Sequence, residues 1–381
     1  MVGASPPPAV RLYLIDNARF LVQVLVFYGH VISNISCVET EALRSLHRFI
    51  RLIDMPVYAL ISGYLSKGTV TPIRARRTLQ GLVLPWFLCD ILRKSRSWVK
   101  HRHVKVPFDL LGGFWYLGSL VLWRLSVPML QVVRWPIAVG GSFVLCLTWP
   151  YILEPSGATY IDRAFEFLPF FVCGLNTPRR LLEQLQHRSA VRVAARLLLL
   201  FSAAAWVTFA PWTSHIDLRR RYNNEHTFQI KLAMLLGECT WAAAACAAMP
   251  HAEHFFTANG ARSLYAYVLH SILLLIIHLD FGVCLSAEWW LWALAAPVTL
   301  LATYLFTSRA AVTIFGVFVE PRWVGCIFDE ELKARRTASV NGDAAASNSS
   351  HLRTNTLGGD AVPACSANKA PPVLGGLAGL L

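Results

Sequence analysis

Charged residues are scarce in this sequence, and acidic ones are the scarcest. Only 15% of the 381 residues are Asp, Glu, Lys or Arg, whereas 55% are hydrophobic and 13 are Trp. A soluble domain carries about 25% charged residues. The composition therefore indicates a membrane protein, excludes an ordinary soluble enzyme, and is most simply explained by one polytopic domain.

The nine cysteines lack the spacing of a metal site or of a redox motif. They lie at positions 37, 89, 146, 173, 239, 246, 284, 326 and 365, mostly within apolar runs, with no C-x-x-C pair and no histidine at zinc spacing. We interpret them as small apolar residues and expect no metal cofactor.

The basic residues outnumber the acidic ones by 35 to 22, for a formal charge of +13. They form short clusters between apolar runs, where they contact lipid headgroups or bind an anionic substrate. We therefore expect a lipid bilayer, and not nucleic acid, as their partner. The first apolar run contains Asp16 and Arg19 and lacks a small-residue cleavage site, so we expect it to be retained.

Ten apolar windows have roughly the length that a membrane-crossing helix requires. They are residues 12–33, 48–66, 78–92, 113–130, 133–152, 161–176, 193–212, 230–250, 263–281 and 289–308. The sequence predicts an all-α polytopic membrane protein, multi-pass, with about ten transmembrane helices and both termini on one side. Residues 1–10 form an N-terminal segment, 11–325 the membrane-embedded domain and 326–381 a mostly disordered tail, rich in Ala, Ser, Asn and Gly beyond residue 337.

Polar side chains interrupt the first window along one face. An ideal α-helix places four of them within an arc of about 60°. They are Asp16, Arg19, Gln23 and His30. A charge facing lipid at mid-membrane costs about 2.5 to 3.5 kcal/mol, so this face predicts contact with other helices or a water-filled cavity, and a functional site.

Two interpretations apply to His30. A lone intramembrane histidine is ordinarily hydrogen-bonded to a neighbouring helix. The aligned Arg19 favours a general base instead, because a neutral imidazole can take a proton from a hydroxyl during acyl transfer. Asp16 and Arg19, three residues apart, can pair and so lower the cost of burying both charges.

The second window and the loop after it contain further candidate site residues. Arg51 and Asp54 are again three residues apart, with the structural and functional interpretations equally supported. Arg74 and Arg77 precede the third window. They suit lipid headgroups, and their guanidinium groups also suit bidentate contacts with phosphate.

Two later residues are weaker candidates. Trp115 begins the fourth window, where an aromatic belt is the ordinary interpretation. The flanking glycines also permit a turn on which an adenine or a pantetheine could pack. His270 lies in the middle of the ninth window and is a second candidate for a polar core group.

These residues resemble integral-membrane acyltransferases of the acyltransferase 3 type, and among them the branch similar to fucose 4-O-acetylase. The resemblance covers about residues 11–325. It rests on an Asp, an Arg and, after ten intervening residues, a His in the first window, and on an Arg-x-x-Arg before a Leu-Pro-aromatic helix. Weaker stretches follow in the same order along the chain: Met55 and Pro56, Ser62 to Tyr64, Trp115 to Leu117, Leu168 to Phe170 and Tyr265 to His270.

The resemblance implies an enzyme that moves an acyl group, commonly acetyl from acetyl-coenzyme A, to a hydroxyl of a carbohydrate or glycolipid. The first-window histidine would be the base, and the arginines would hold the coenzyme. The predicted site residues are, by role, catalytic His30, Arg19 and Asp16; coenzyme-binding Arg74, Arg77 and Trp115; and acceptor-binding Asp54, Arg51 and His270.

One position departs from that branch, which ordinarily has a His before Met-Pro where this chain has Asp54. The departure bears on the acceptor and on activity itself. Two alternatives therefore stay open. The first is a transporter for a small molecule or a lipid-linked sugar, since ionisable faces also line translocation paths, although no inverted repeat is visible. The second is an inactive member of the acyltransferase fold.

Overall fold

The computed structural model describes residues 12–36, 40–68, 71–101, 114–152, 159–186, 188–213, 228–281, 285–286 and 288–321. These ranges are helical and contain no strand, apart from one isolated parallel bridge between Ser36 and Leu285. The predicted N-terminal segment, residues 1–10, and the predicted tail, residues 326–381, lie outside the described residues.

Fifteen α-helices follow one another along the described part of the chain. They are α1 Tyr13–Ile35, α2 Glu41–Leu65, α3 Pro72–Thr78, α4 Leu84–His101, α5 Trp115–Val132, α6 Trp135–Ile152, α7 Thr159–Asn176, α8 Arg179–Gln186, α9 Ser189–Thr208, α10 Ala210–Thr213, α11 Phe228–Ala248, α12 Thr257–Gly260, α13 Ser263–Phe281, α14 Trp289–Phe306 and α15 Arg309–Val319. One π-helical turn, Leu79–Val83, joins α3 to α4.

Each predicted window overlaps a helix. Among the described helices, α1, α9, α11 and α14 are long and apolar enough to cross a membrane. This is consistent with a membrane protein, and ten crossings stay a prediction. Among the boundaries that differ from the predicted windows, α2 begins seven residues before residue 48, and α4 continues nine residues past residue 92 in polar sequence. Helix α15 has no window of its own because its 11 residues are too few to span a membrane.

Helix α1 occupies the centre of the bundle and α9 its periphery. In the most apolar stretch of α1, 61% of the residues are buried, against 6% in α9. Helix α1 packs against α2, α12, α13 and α14. Because other helices enclose α1, its polar side chains contact protein and not lipid. This explains how a helix inside a membrane can carry Asp16, Arg19, Gln23 and His30.

Helix α2 packs most extensively against α7, at two glycines. A Cβ added at Gly63 would lie 1.9 Å from the Phe171 carbonyl oxygen, and one at Gly174 would lie 1.9 Å from the Leu60 carbonyl oxygen. Small residues at such crossings let two membrane helices approach backbone to backbone. This contact fixes α2, which carries Arg51, against the rest of the bundle.

The helices around α1 have defined directions. The Asp16 backbone approaches Gly260, just before α13, and the far end of α1 meets Leu285, just after it, so α1 and α13 are parallel. Gly29 lies beside His47 near the start of α2, so α1 and α2 are antiparallel. We call the end of the bundle where α1 begins the Asp16 end, and the opposite end the His30 end.

Candidate functional site

At the Asp16 end, the polar face of α1 contacts the segment before α13. Asp16 and Arg19 form the predicted pair, with 3.6 Å between Oδ1 and Nη1. Arg19 is 1% exposed, and its Nη2 donates to the Ala261 carbonyl at 3.1 Å. Asn17 Nδ2 donates to the carbonyl of Ala252 at 2.9 Å. These contacts offset the cost of burying a guanidinium and hold α1 against the connection between α11 and α13.

In the middle of the bundle, Gln23 joins three helices. It is fully buried, and its Oε1 accepts a 2.8 Å hydrogen bond from the Tyr58 hydroxyl of α2. Its Nε2 lies 3.5 Å from Nδ1 of His270 in α13. Gln23 therefore lies between the charged pair toward one end of α1 and the histidines toward the other. Tyr58 was not among the predicted residues, and only its position two turns from Arg51 could have indicated it.

Toward the opposite end, His30 and His270 lie side by side, with ring centroids 5.4 Å apart and planes 32° apart. His270 is fully buried, and its Nδ1 lies 2.7 Å from the Ala266 carbonyl. A carbonyl oxygen only accepts, so this contact puts a proton on Nδ1 and leaves Nε2 as the acceptor of a neutral ring. His30 is partly exposed.

Basic side chains surround His30. Those that act on it electrostatically are His270, Arg51, His47 and Arg163. Arg51 is 12% exposed and forms the predicted pair with Asp54, with 3.5 Å between Nη1 and Oδ2. The structure thus brings four of the predicted residues together, namely His30, His270, Arg51 and Asp54.

Arg163 of α7 was not predicted. Its guanidinium lies 4.8 Å from the centroid of the Trp115 ring, in cation–π contact. Its position near the start of a predicted membrane window could have indicated it. A charge inside the membrane costs free energy, so an arginine there is a candidate functional residue.

The predicted coenzyme-binding residues do not lie together, because Trp115 contacts Arg163, which acts on His30, whereas Arg77 is on α3. Trp115 is 5% exposed and stacks on Phe167 at 5.5 Å, so it belongs to the buried aromatic core between α5 and α7. Arg77 is exposed on α3, which follows the end of α2 distant from His30. Arg74 is in the same helix, and its side chain lies outside those that the structure describes.

The two ends are separated by most of a membrane thickness. Arg51, near His30, precedes the last residue of α2 by 14 positions, which corresponds to about 21 Å of helix axis. Asp16 and Arg19 lie about four and three turns from His30 along α1, which corresponds to about 21 and 16 Å. They therefore do not contact the His30 ring. In the described part of the chain, no group of three or more His, Cys, Asp or Glu side chains is placed to hold a metal ion.

Comparisons with known proteins give a distant similarity. The chain is 24% identical over 221 residues to nodulation protein NolL of Sinorhizobium fredii (strain NBRC 101917 / NGR234), covering 52% of this chain and 56% of the relative. It is 23% identical over 166 residues to nodulation protein NolL of Mesorhizobium japonicum (strain LMG 29417 / CECT 9101 / MAFF 303099), covering 36% and 44%. The chain thus spans about half the length of the curated relatives it matches. No family model and no solved structure matches.

Proposed function

We propose that this chain is a membrane O-acyltransferase that moves an acyl group, such as acetyl, from acyl-coenzyme A to a hydroxyl of a carbohydrate or glycolipid. The observation that carries the proposal is the pair of adjacent imidazoles, His30 partly exposed and His270 buried. They lie beyond the buried polar side chains of Asp16, Arg19 and Gln23. The arginine eleven residues before His30 in the first helix, and the order of the weaker stretches, support it by resemblance.

In the proposed reaction His30 acts as general base. It takes the proton of the acceptor hydroxyl while that oxygen attacks the thioester carbonyl. The carbon–sulfur bond then breaks, the ester forms, and the proton passes from His30 to the departing thiolate of coenzyme A. His270 packs against His30, and its Nδ1 donates to the Ala266 carbonyl, so the ring that orients His30 is itself held in place.

The donor would bind across the bundle. Arg77, with Arg74 beside it in sequence, would hold the phosphates of coenzyme A at the Asp16 end. The acyl thioester would then have to reach through about 21 Å of protein to His30. Coenzyme A esters are made in the cytosol, so this arrangement places the Asp16 end, the N-terminus and, with an even number of crossings, the C-terminus on the cytosolic face.

The test is acyl transfer per mole of monodisperse, detergent-purified protein. His30→Ala and His30→Gln should each lose about 10² to 10⁴ of the rate, equal to about 3 to 5.5 kcal/mol of transition-state stabilisation, because a positioned base contributes that much. His254→Ala is the matched control, since that histidine is exposed at the Asp16 end. Wild-type turnover in both His30 variants would show that His30 is not the base.

A transporter is the second candidate, favoured by a buried charged group elsewhere in the bundle. Lys231 of α11 lies 2.9 Å from Glu166 of α7, and Glu238 of α11 is 4% exposed. Ionisable groups enclosed by membrane helices are typical of translocation paths. Acyl-coenzyme A consumption without substrate flux across proteoliposomes supports the enzyme, whereas flux without consumption supports the transporter. An inactive member of the acyltransferase fold would show neither.

A further inference from the structure

An acidic residue, Glu238, lies at the middle of α11. It is ten positions from each end of Phe228–Ala248, which corresponds to about 15 Å of helix axis in either direction. Helix α11 is among the helices that are long and apolar enough to cross a membrane. Glu238 is therefore at the depth where an ionised side chain costs the most free energy.

The Glu238 side chain is enclosed by protein and lacks a polar partner. The residue is 4% exposed. Its carboxyl forms no hydrogen bond and no ion pair with any residue in the described part of the chain. An ionised carboxylate in such a place loses its hydration and gains no hydrogen bond in exchange, so the neutral acid is the form that burial favours.

The basic residue of α11, Lys231, is already engaged by another carboxylate. Lys231 precedes Glu238 by seven residues, so the two side chains leave the same face of the helix about 10 Å apart along its axis. Its Nζ lies 2.9 Å from Oε1 of Glu166 in α7. The positive charge of Lys231 is thus balanced by Glu166, and a second negative charge at Glu238 would be buried without compensation.

The other helices around α11 have few titratable groups near Glu238. Those that interact with it electrostatically are, by element, Lys231 and Cys239 of α11, Glu166 of α7 and Cys146 of α6. Rings of α2 and α9 contact α11 at Trp241, one turn after Glu238. Among these described groups Lys231 is the one cation, and it is paired with Glu166.

We propose that Glu238 is a proton-binding site inside the membrane, with a carboxyl that is neutral at neutral pH and exchanges its proton with the surrounding solution. Exchange is possible because the neighbouring pair is more exposed than Glu238. The Lys231 and Glu166 side chains are 19% and 14% exposed, and Lys231 is two turns nearer the beginning of α11. The ligand of this site is a proton, and the inference rests on neither candidate function.

The experiment is infrared spectroscopy of the full-length protein at neutral pH, purified in a neutral detergent without ester groups. A protonated carboxylic acid has a carbonyl stretching band that is separate from the bands of carboxylates and amides. The wild type should show such a band, and Glu238→Gln should lose it, because the amide keeps the shape of the side chain without the acid. Glu238→Leu should lose the same band, so the result does not depend on one variant folding. Each variant is first checked for a single monodisperse peak.

The matched control is Glu183→Gln. Glu183 is 45% exposed and pairs with Arg179, so its replacement should leave the band of the protonated acid unchanged. In D2O the wild-type band should shift, because the solvent takes the proton of the O–H group and returns a deuteron.

Two outcomes would overturn the proposal. A band that persists unchanged in Glu238→Gln and Glu238→Leu would show that Glu238 is ionised in the wild type. A band that depends on Glu238 and does not shift in D2O would show that its proton is isolated from the solution. The spectra are recorded without substrate, so failure of acyl transfer or of transport would leave this test unaffected.

Discussion

Replacing Gly63 by alanine should separate two helices that now touch backbone to backbone. The added Cβ would lie 1.9 Å from the Phe171 carbonyl oxygen. A carbon and a carbonyl oxygen in close contact are about 3.3 Å apart, so α2 and α7 would have to move apart by about 1.4 Å. Neither atom is on a flexible side chain, so the strain cannot be relieved locally. We expect Gly63→Ala to destabilise the protein by about 1 to 3 kcal/mol.

The assay is thermal unfolding of the detergent-purified protein, followed by the loss of its monodisperse peak. Gly140→Ala is the matched control, because a Cβ there meets nothing within 4 Å. That variant should be as stable as the wild type or slightly more stable, since alanine favours a helix by about 1 kcal/mol over glycine. Equal unfolding temperatures for Gly63→Ala and the wild type would refute the close packing of α2 on α7.

The same substitution should affect activity more than stability. Helix α2 carries Arg51 and Asp54, whereas His30 is on α1 and Arg163 on α7. A shift of α2 by about 1.4 Å would change the relative positions of these groups, and a misplacement of about 1 Å can reduce a rate about 10²-fold. Turnover of Gly63→Ala is therefore expected to fall even at temperatures where the protein stays folded.

Two further predictions concern buried polar contacts. Tyr58→Phe removes the donor to Gln23 and should cost about 0.5 to 1.7 kcal/mol in thermal unfolding, the range for hydrogen bonds between membrane helices; no loss would show that the contact is not formed. Glu166→Gln deprives Lys231 of its carboxylate and should destabilise by up to about 3 kcal/mol, whereas Glu238→Gln should cost less because Glu166 remains as the partner. A larger loss in Glu238→Gln than in Glu166→Gln would contradict this arrangement.

Local spacing predicted the parts of the site that lie on one helix. Asp16 with Arg19, and Arg51 with Asp54, are each one turn apart, and both pairs are present at 3.6 and 3.5 Å. The helical periodicity that placed them on one face requires no knowledge of other helices. For the same reason the long helices were found from apolar windows, whereas short helices such as α8, α12 and α15 were not, because each is shorter than any spanning window.

Contacts between helices could not be predicted in the same way. Nothing in the spacing indicates that His270 lies beside His30, that Tyr58 donates to Gln23, or that Arg163 faces the same site, because each depends on how helices distant in sequence pack. Trp115 shows the converse. Its position at a helix start predicted an aromatic belt or a coenzyme contact. Its ring is buried against Phe167, so it is not part of a belt, and the coenzyme contact stays a prediction. Residues at a helix end are exposed only if no neighbouring helix covers them.

The pairing of α1 with α13 has a consequence for biosynthesis. Gln23 and His270 contact each other across 247 residues of sequence. At a synthesis rate of about 5 to 20 residues per second, the first helix is made roughly 10 to 50 s before its partner. During that interval the ion pair of Asp16 and Arg19 has no α13 to cover it, so the nascent chain depends on mutual neutralisation, water or the insertion machinery. A chain that stops before α13 would contain His30 but no site.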